Sequence, residues 1–110
     1  MQRELKRHIH VFAALGDETR VAIIAQLSDG KARSISRLTD RRTITRQAVT
    51  KHLEALEGAG LVRRSRLGRE SLFTLDPNAL FAAKAAMDRL SAHWDDALAR
   101  LKQSVESDNA

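Results

Sequence analysis

The chain has 110 residues and contains neither cysteine nor tyrosine. Without thiols there is no disulfide, no thiolate metal site and no cysteine nucleophile. No apolar run approaches the roughly 20 residues that a membrane-spanning helix needs, and no apolar leader with a cleavage site is visible. On these absences a soluble, cytoplasmic chain is expected. Its five glycines build no phosphate-cradling loop. No motif gathers a histidine, a carboxylate and a nucleophile, so an enzyme is not expected. Asp17 and Arg20 stand close enough to suggest catalysis, but helix capping and ion pairing account for them.

What is present is charge. Hydrophobic residues make up 43% and charged residues 30%, the balance of a globular chain. The length suits one domain over residues 1–110 with a modest core. The net charge of +5 is concentrated: residues 31–75 hold 11 of the 19 Lys and Arg and only 4 of the 14 Asp and Glu. That segment is therefore at +7 and the remainder at −2. A local excess of this size is what phosphate binding requires.

Periodicity divides the chain into elements. Leu5, Ile9 and Phe12 form one stripe of a first helix, about residues 3–15, ended by Gly16. Asp17 is a good N-cap for a second helix, with Glu18 suited to its positive end and Val21, Ile24, Ala25 and Leu27 in helical spacing. Asp29-Gly30 reads as a turn. Ser34 can cap a short third helix containing Ile35 and Leu38, followed by Arg41-Arg42. Ile44-Thr45 opens a fourth helix with Val49, Leu53 and Leu56 on its apolar face, and Gly58 and Gly60 mark its end. Val62–Leu67 and Glu70–Leu75 read as strands joined at Gly68-Arg69. Asp76-Pro77 starts a last helix running to about residue 105. In it Leu80, Met87, Leu90, Trp94, Leu98, Leu101 and Val105 recur at helical intervals.

The fourth helix and the hairpin carry the functional signal. At 100° per residue, Gln47, Thr50, Lys51 and Glu54 lie opposite the Val49/Leu53/Leu56 stripe, with Arg46 at the flank near the N-terminus. A recognition helix meets base edges mainly through its N-terminal residues, which makes Arg46, Gln47, Thr50 and Lys51 the candidate readers. Gln suits adenine, Arg suits guanine, and Thr can meet a thymine methyl; Glu54 belongs outside the groove. His52, at the border of the two faces, is either a packing histidine with one nitrogen satisfied locally or a phosphate contact. In the hairpin, Arg64 and Arg66 share one face, Arg63 takes the other, and Arg69 sits at the turn. Arg66 and Arg69 can reach a flanking minor groove or its phosphates, and Arg64 is a further candidate DNA contact. The fold expected is mainly α with a small β-hairpin, a winged helix-turn-helix that binds double-stranded DNA.

Three stretches make this expectation more specific: GDETRVAIIAQL at 16–27, RQAVTKHLEALEGAGLV at 46–62 and GRESLFTLDPNAL at 68–80. Their content and order resemble the ArsR-type (ArsR/SmtB-like) winged helix-turn-helix transcriptional regulators, over most of residues 10–102. The resemblance implies four helices, two strands and a fifth helix, and a homodimeric repressor on an inverted-repeat operator. It also implies a dimer interface made by the first and last helices. On this chain the interface would fall on Leu5, Ile9, Phe12, Met87, Leu90, Trp94, Leu98 and Leu101. The length of the last stripe supports that independently, since an unpaired stripe would be an exposed apolar patch.

Family members that release DNA on binding a metal need ligands that are missing here. The third-helix segment reads SISRLTDRR, without thiols, and Asp88, His93, Asp95 and Asp96 do not match the Asp-x-His spacing of the last-helix site. His8 and His10, two residues apart, do not share a helix face. No metal, cofactor or small-molecule effector is therefore assigned. The alternatives are a winged-helix module that binds protein or RNA, and a metal-responsive repressor with a non-Cys site.

Overall fold

In the computed structural model, which describes residues 2–108, local rules set most element boundaries. The helices are α1 (Gln2–Ala14), α2 (Glu18–Gln26), α3 (Ile35–Thr39), α4 (Arg46–Gly58) and α5 (Pro77–Asp108). The strands are β1 (Arg33–Ser34), β2 (Val62–Leu67) and β3 (Glu70–Leu75), and a 3₁₀ turn, Leu27–Asp29, ends α2. Each expected N-cap satisfies an orphan amide. Asp17 accepts from the Arg20 N–H at 3.1 Å, Ser34 from Arg37 at 3.2 Å, and Thr45 from Ala48 at 3.1 Å.

The exit from α4 sets the direction of the hairpin. Leu61 N–H donates to Leu56 C=O at 2.9 Å and Gly60 N–H to Glu57 C=O at 3.0 Å. Gly60 sits at φ 75°. This is the Schellman pattern, in which glycine takes the left-handed position and the flanking apolar residues touch. Here those residues are Leu56 and Leu61, both fully buried. At the hairpin tip Gly68 has φ 62° and Leu67 pairs with Glu70, a two-residue turn with glycine in its first central position.

The sheet has three strands in the order β1-β3-β2, all antiparallel. Strand β1 was not expected from the sequence. Its two residues pair with Phe73 and Leu72, and two residues carry no readable alternation. The core gathers Ile23, Ile24, Leu27, Leu38, Val49, Leu53, Leu56, Leu61, Val62 and Phe73 beneath the helix-turn-helix. Helix α5 contributes Ala83 and Ala86, and α1 contributes Val11 and Ala14.

Two buried faces differ from the periodic reading. In α2, Ile23 and Ile24 are buried, whereas Val21 and Ala25 are exposed. In α1, Val11 and Ala14 face the core, Leu5 and Phe12 are half-buried, and Ile9 is 62% exposed. The radius of gyration, 19.0 Å, exceeds the roughly 13 Å of a compact chain this long, and the longest dimension is 70 Å. The excess comes from α5, whose 32 residues extend about 48 Å. Beyond Ala86 only Leu90 and Ala97 on this helix are even half-buried. No helix among the described residues is long and apolar enough to cross a membrane.

Candidate nucleic-acid interface

Helices α3 and α4 form the helix-turn-helix. Burial of Val49, Leu53 and Leu56 turns Arg46, Gln47, Lys51 and Glu54 outward, all exposed. Thr50 is half-buried and its hydroxyl donates to Arg46 C=O at 2.8 Å. That bond occupies the hydroxyl hydrogen, so the methyl and the oxygen lone pairs are what Thr50 can offer to a base.

Tertiary contacts sort the basic residues of segment 31–75 into two groups. Arg33 forms a forked pair with Asp29 at 2.6 and 2.8 Å. Arg42 donates to Leu38 C=O at 2.5 Å and to the Gln26 side chain at 2.8 Å, tying the end of α3 to α2. Arg63 pairs with Asp76 at 2.8 Å at the base of the hairpin. Arg64 pairs with Glu57 of α4 at 3.2 Å and stacks 5.0 Å above the Phe73 ring. Those four hold the fold together. Lys31, Arg37, Arg41, Arg46, Lys51, Arg66 and Arg69 have no ion pair among the described residues.

Of the hairpin arginines singled out in the sequence, Arg66 and Arg69 are thus unpaired, whereas Arg64 already braces the wing against α4. The structure brings Arg46 and Arg69 together: both line a cleft of about 190 Å³ with Ser34, Ile35, Ser36, Glu70 and Ser71. The start of the recognition helix and the tip of the wing therefore share one concave surface. Glu70 and the α3 N-terminal serines were absent from the sequence-based site. Only the folding of β3 against β1 places them there.

His52 faces inward toward α2. Its Nδ1 accepts from Arg20 Nε at 3.2 Å and lies 3.9 Å from Asp17 Oδ1. Arg20 also donates to Ala14 C=O at 3.2 Å, capping the end of α1. One guanidinium thereby links α1, α2 and the recognition helix, and one His52 nitrogen is satisfied by a tertiary contact. The Arg20 N–H holds the Asp17 carboxyl below its ordinary value, with the Arg20 charge adding to the effect. The Arg33 fork and the Lys31 N–H hold Asp29 well below the usual carboxylate range. The Asn78 N–H, then Arg63, lowers Asp76. These carboxylates are ionised at neutral pH and keep five basic or backbone donors fixed. Among the described residues no group of three or more His, Asp or Glu is placed to hold a metal ion.

A helix, a turn, a second helix with an exposed polar face and a basic β-hairpin define the winged helix-turn-helix class. A family model described as a helix-turn-helix domain matches residues 15–65. The HTH-type transcriptional regulator Rv2034 of Mycobacterium tuberculosis is 34% identical over 95 residues, covering 86% of this chain and 85% of that one. The HTH-type transcriptional repressor SmtB of the same species is 33% identical over 85 residues, 77% of this chain and 61% of the repressor. An ArsR-like transcriptional regulator from Rhodococcus sp. RHA1 has a solved structure that superposes with a TM-score of 0.72 at 40% identity. The superposition covers 87% of this chain and 90% of that one. The chain belongs to the ArsR-type family of winged helix-turn-helix regulators. Its function is DNA-binding transcriptional regulation, a non-enzymatic role.

Proposed function

We propose that the chain is a homodimeric repressor that reads an inverted-repeat operator with α4 and the wing, the two copies meeting through α1 and α5. The observation that carries the DNA-reading half is the cleft shared by Arg46 and Arg69. Base readers Arg46, Gln47, Thr50 and Lys51 stand on a helix fixed by a fully buried stripe, and Arg66 and Arg69 flank them as phosphate or minor-groove anchors. His52 and Arg64 act on the interface by holding α4 and the wing in place. The repressor part of the reading is supported by the name of the related SmtB.

The dimer half is supported by the apolar surface of α5. Trp94, Leu98 and Leu101 are 57%, 57% and 62% exposed, and Met87 and Val105 continue the same stripe. Leu90 is half-buried beside them, and Ile9, on the helix packed along α5, extends the apolar surface. Arg89 pairs with Glu4 and locks α1 to α5, so the two helices present one surface. A contiguous patch of this kind marks an interface.

Gln47→Ala should lower discrimination at one base-pair position by about 1–3 kcal/mol while leaving binding to unrelated duplexes unchanged. Arg69→Ala should weaken binding evenly across sequences and make its salt dependence shallower. Titration of each variant against the operator and a scrambled duplex separates the two. A double variant that binds the operator as tightly as the wild type would remove the recognition assignment.

A further inference from the structure

The cleft holding Arg46 and Arg69 does not end at the wing. A second cleft, of about 380 Å³, opens beside it and shares Ser34 and Glu70 with it. Its walls include Lys31, Arg33 and Arg37. Arg33 is taken up by Asp29, but Lys31 and Arg37 are exposed. Neither makes an ion pair or side-chain hydrogen bond among the described residues. Cation follows cation along one continuous surface: Arg46 and Arg69, then the Ser34 junction, then Arg37 and Lys31.

A small anionic ligand suits this surface poorly. No buried side-chain polar atom among the described residues lacks a partner, so nothing in either cleft awaits a specific group. A track of unpaired, well-hydrated cations spread over adjoining clefts fits a polyanion with repeated phosphates.

We infer that Lys31 and Arg37 carry the phosphate backbone of duplex DNA outside the base pairs that α4 reads, extending each half-site footprint past the wing. This rests on the DNA-reading assignment above. The two residues bear on affinity and register, not on sequence, because phosphates are alike at every base pair. Glu70, exposed in the wall of both clefts, is the one acidic side chain among the described residues that lines the track. Its like charge repels phosphate and defines where the backbone cannot lie.

The test uses a duplex selected from a random library, once trimmed to the enriched inverted repeat that α4 reads and once carrying about 8 additional base pairs on each side. Affinity is measured against salt for the wild type, for Lys31→Gln/Arg37→Gln and for Arg46→Ala/Arg69→Ala. On the flanked duplex the Lys31/Arg37 variant should show a slope of log K against log salt shallower by about 1 per lost phosphate contact, about 4 in total for a dimer. On the trimmed duplex it should match the wild type, with unchanged thermal midpoints and sequence preference. Glu70→Gln should tighten binding to the flanked duplex at low salt by a few-fold. If the Lys31/Arg37 variant keeps the wild-type slope on the flanked duplex while the Arg46/Arg69 variant loses slope on both, the track is wrong and the reading head stands. If the Arg46/Arg69 variant keeps the wild-type slope on both duplexes, the DNA-reading assignment falls and the track falls with it.

Discussion

Phe73→Ala is expected to lose about 3–5 kcal/mol of folding stability, the cost of emptying a buried aromatic site. Against a total of about 5–15 kcal/mol for a domain of this kind, the variant should be partly or largely unfolded at 37 °C. Phe73 is fully buried on β3, the central strand, where its neighbours in register are Arg33 of β1 and Arg64 of β2. Its ring also supports the Arg64 guanidinium, which reaches across to Glu57 on α4. Removing the ring therefore opens a cavity and loosens the brace between wing and recognition helix together. Urea denaturation followed by circular dichroism reads the loss. Phe73→Leu should retain most of the stability, and a loss under about 1 kcal/mol for the alanine variant would contradict the packing described.

Leu98→Glu together with Leu101→Glu should give the second large effect, the separation of the dimer. Both residues lie far along α5 with no core above them, so a carboxylate there costs the free monomer little. Across a two-fold axis the same substitutions would bring like charges into an apolar contact. Sedimentation should show a monomer, helix content should be kept, and operator affinity should fall by about 10²–10⁴-fold as the two half-sites lose their linkage. A variant that stays dimeric would remove α5 from the interface. A monomer that binds the operator as tightly as the wild type would remove the two-fold reading itself.

Features set by neighbouring residues were legible in the sequence. The caps at Asp17, Ser34 and Thr45 have the expected bonds, and both wing strands begin and end where alternation and glycine placed them. The α4 stripe also lies inward as spacing indicated. Features set by distant residues were not legible. Strand β1 exists because Leu72 and Phe73 of β3 are there to pair with it. The inward face of α1 is Val11 and Ala14 because α1 lies against both the core and α5, which a single stripe through Leu5 and Ile9 does not reveal. Charge counting found the basic segment but could not divide it. Only the positions of Asp29, Glu57 and Asp76 show that Arg33, Arg64 and Arg63 are held within the fold. The same applies to His52, whose nitrogen meets Arg20 across 32 residues of sequence.

Two copies of α4 and the wing should read duplex DNA about a two-fold axis. Selection of bound duplexes from a random-sequence library, followed by sequencing, measures this arrangement. The expected result is an inverted repeat whose half-site centres lie one helical turn apart, about 10–10.5 base pairs or ~34 Å, with enrichment lost in Gln47→Ala at one symmetric pair of positions. Enrichment of a single unrepeated site, or no enrichment over the starting library, would contradict it.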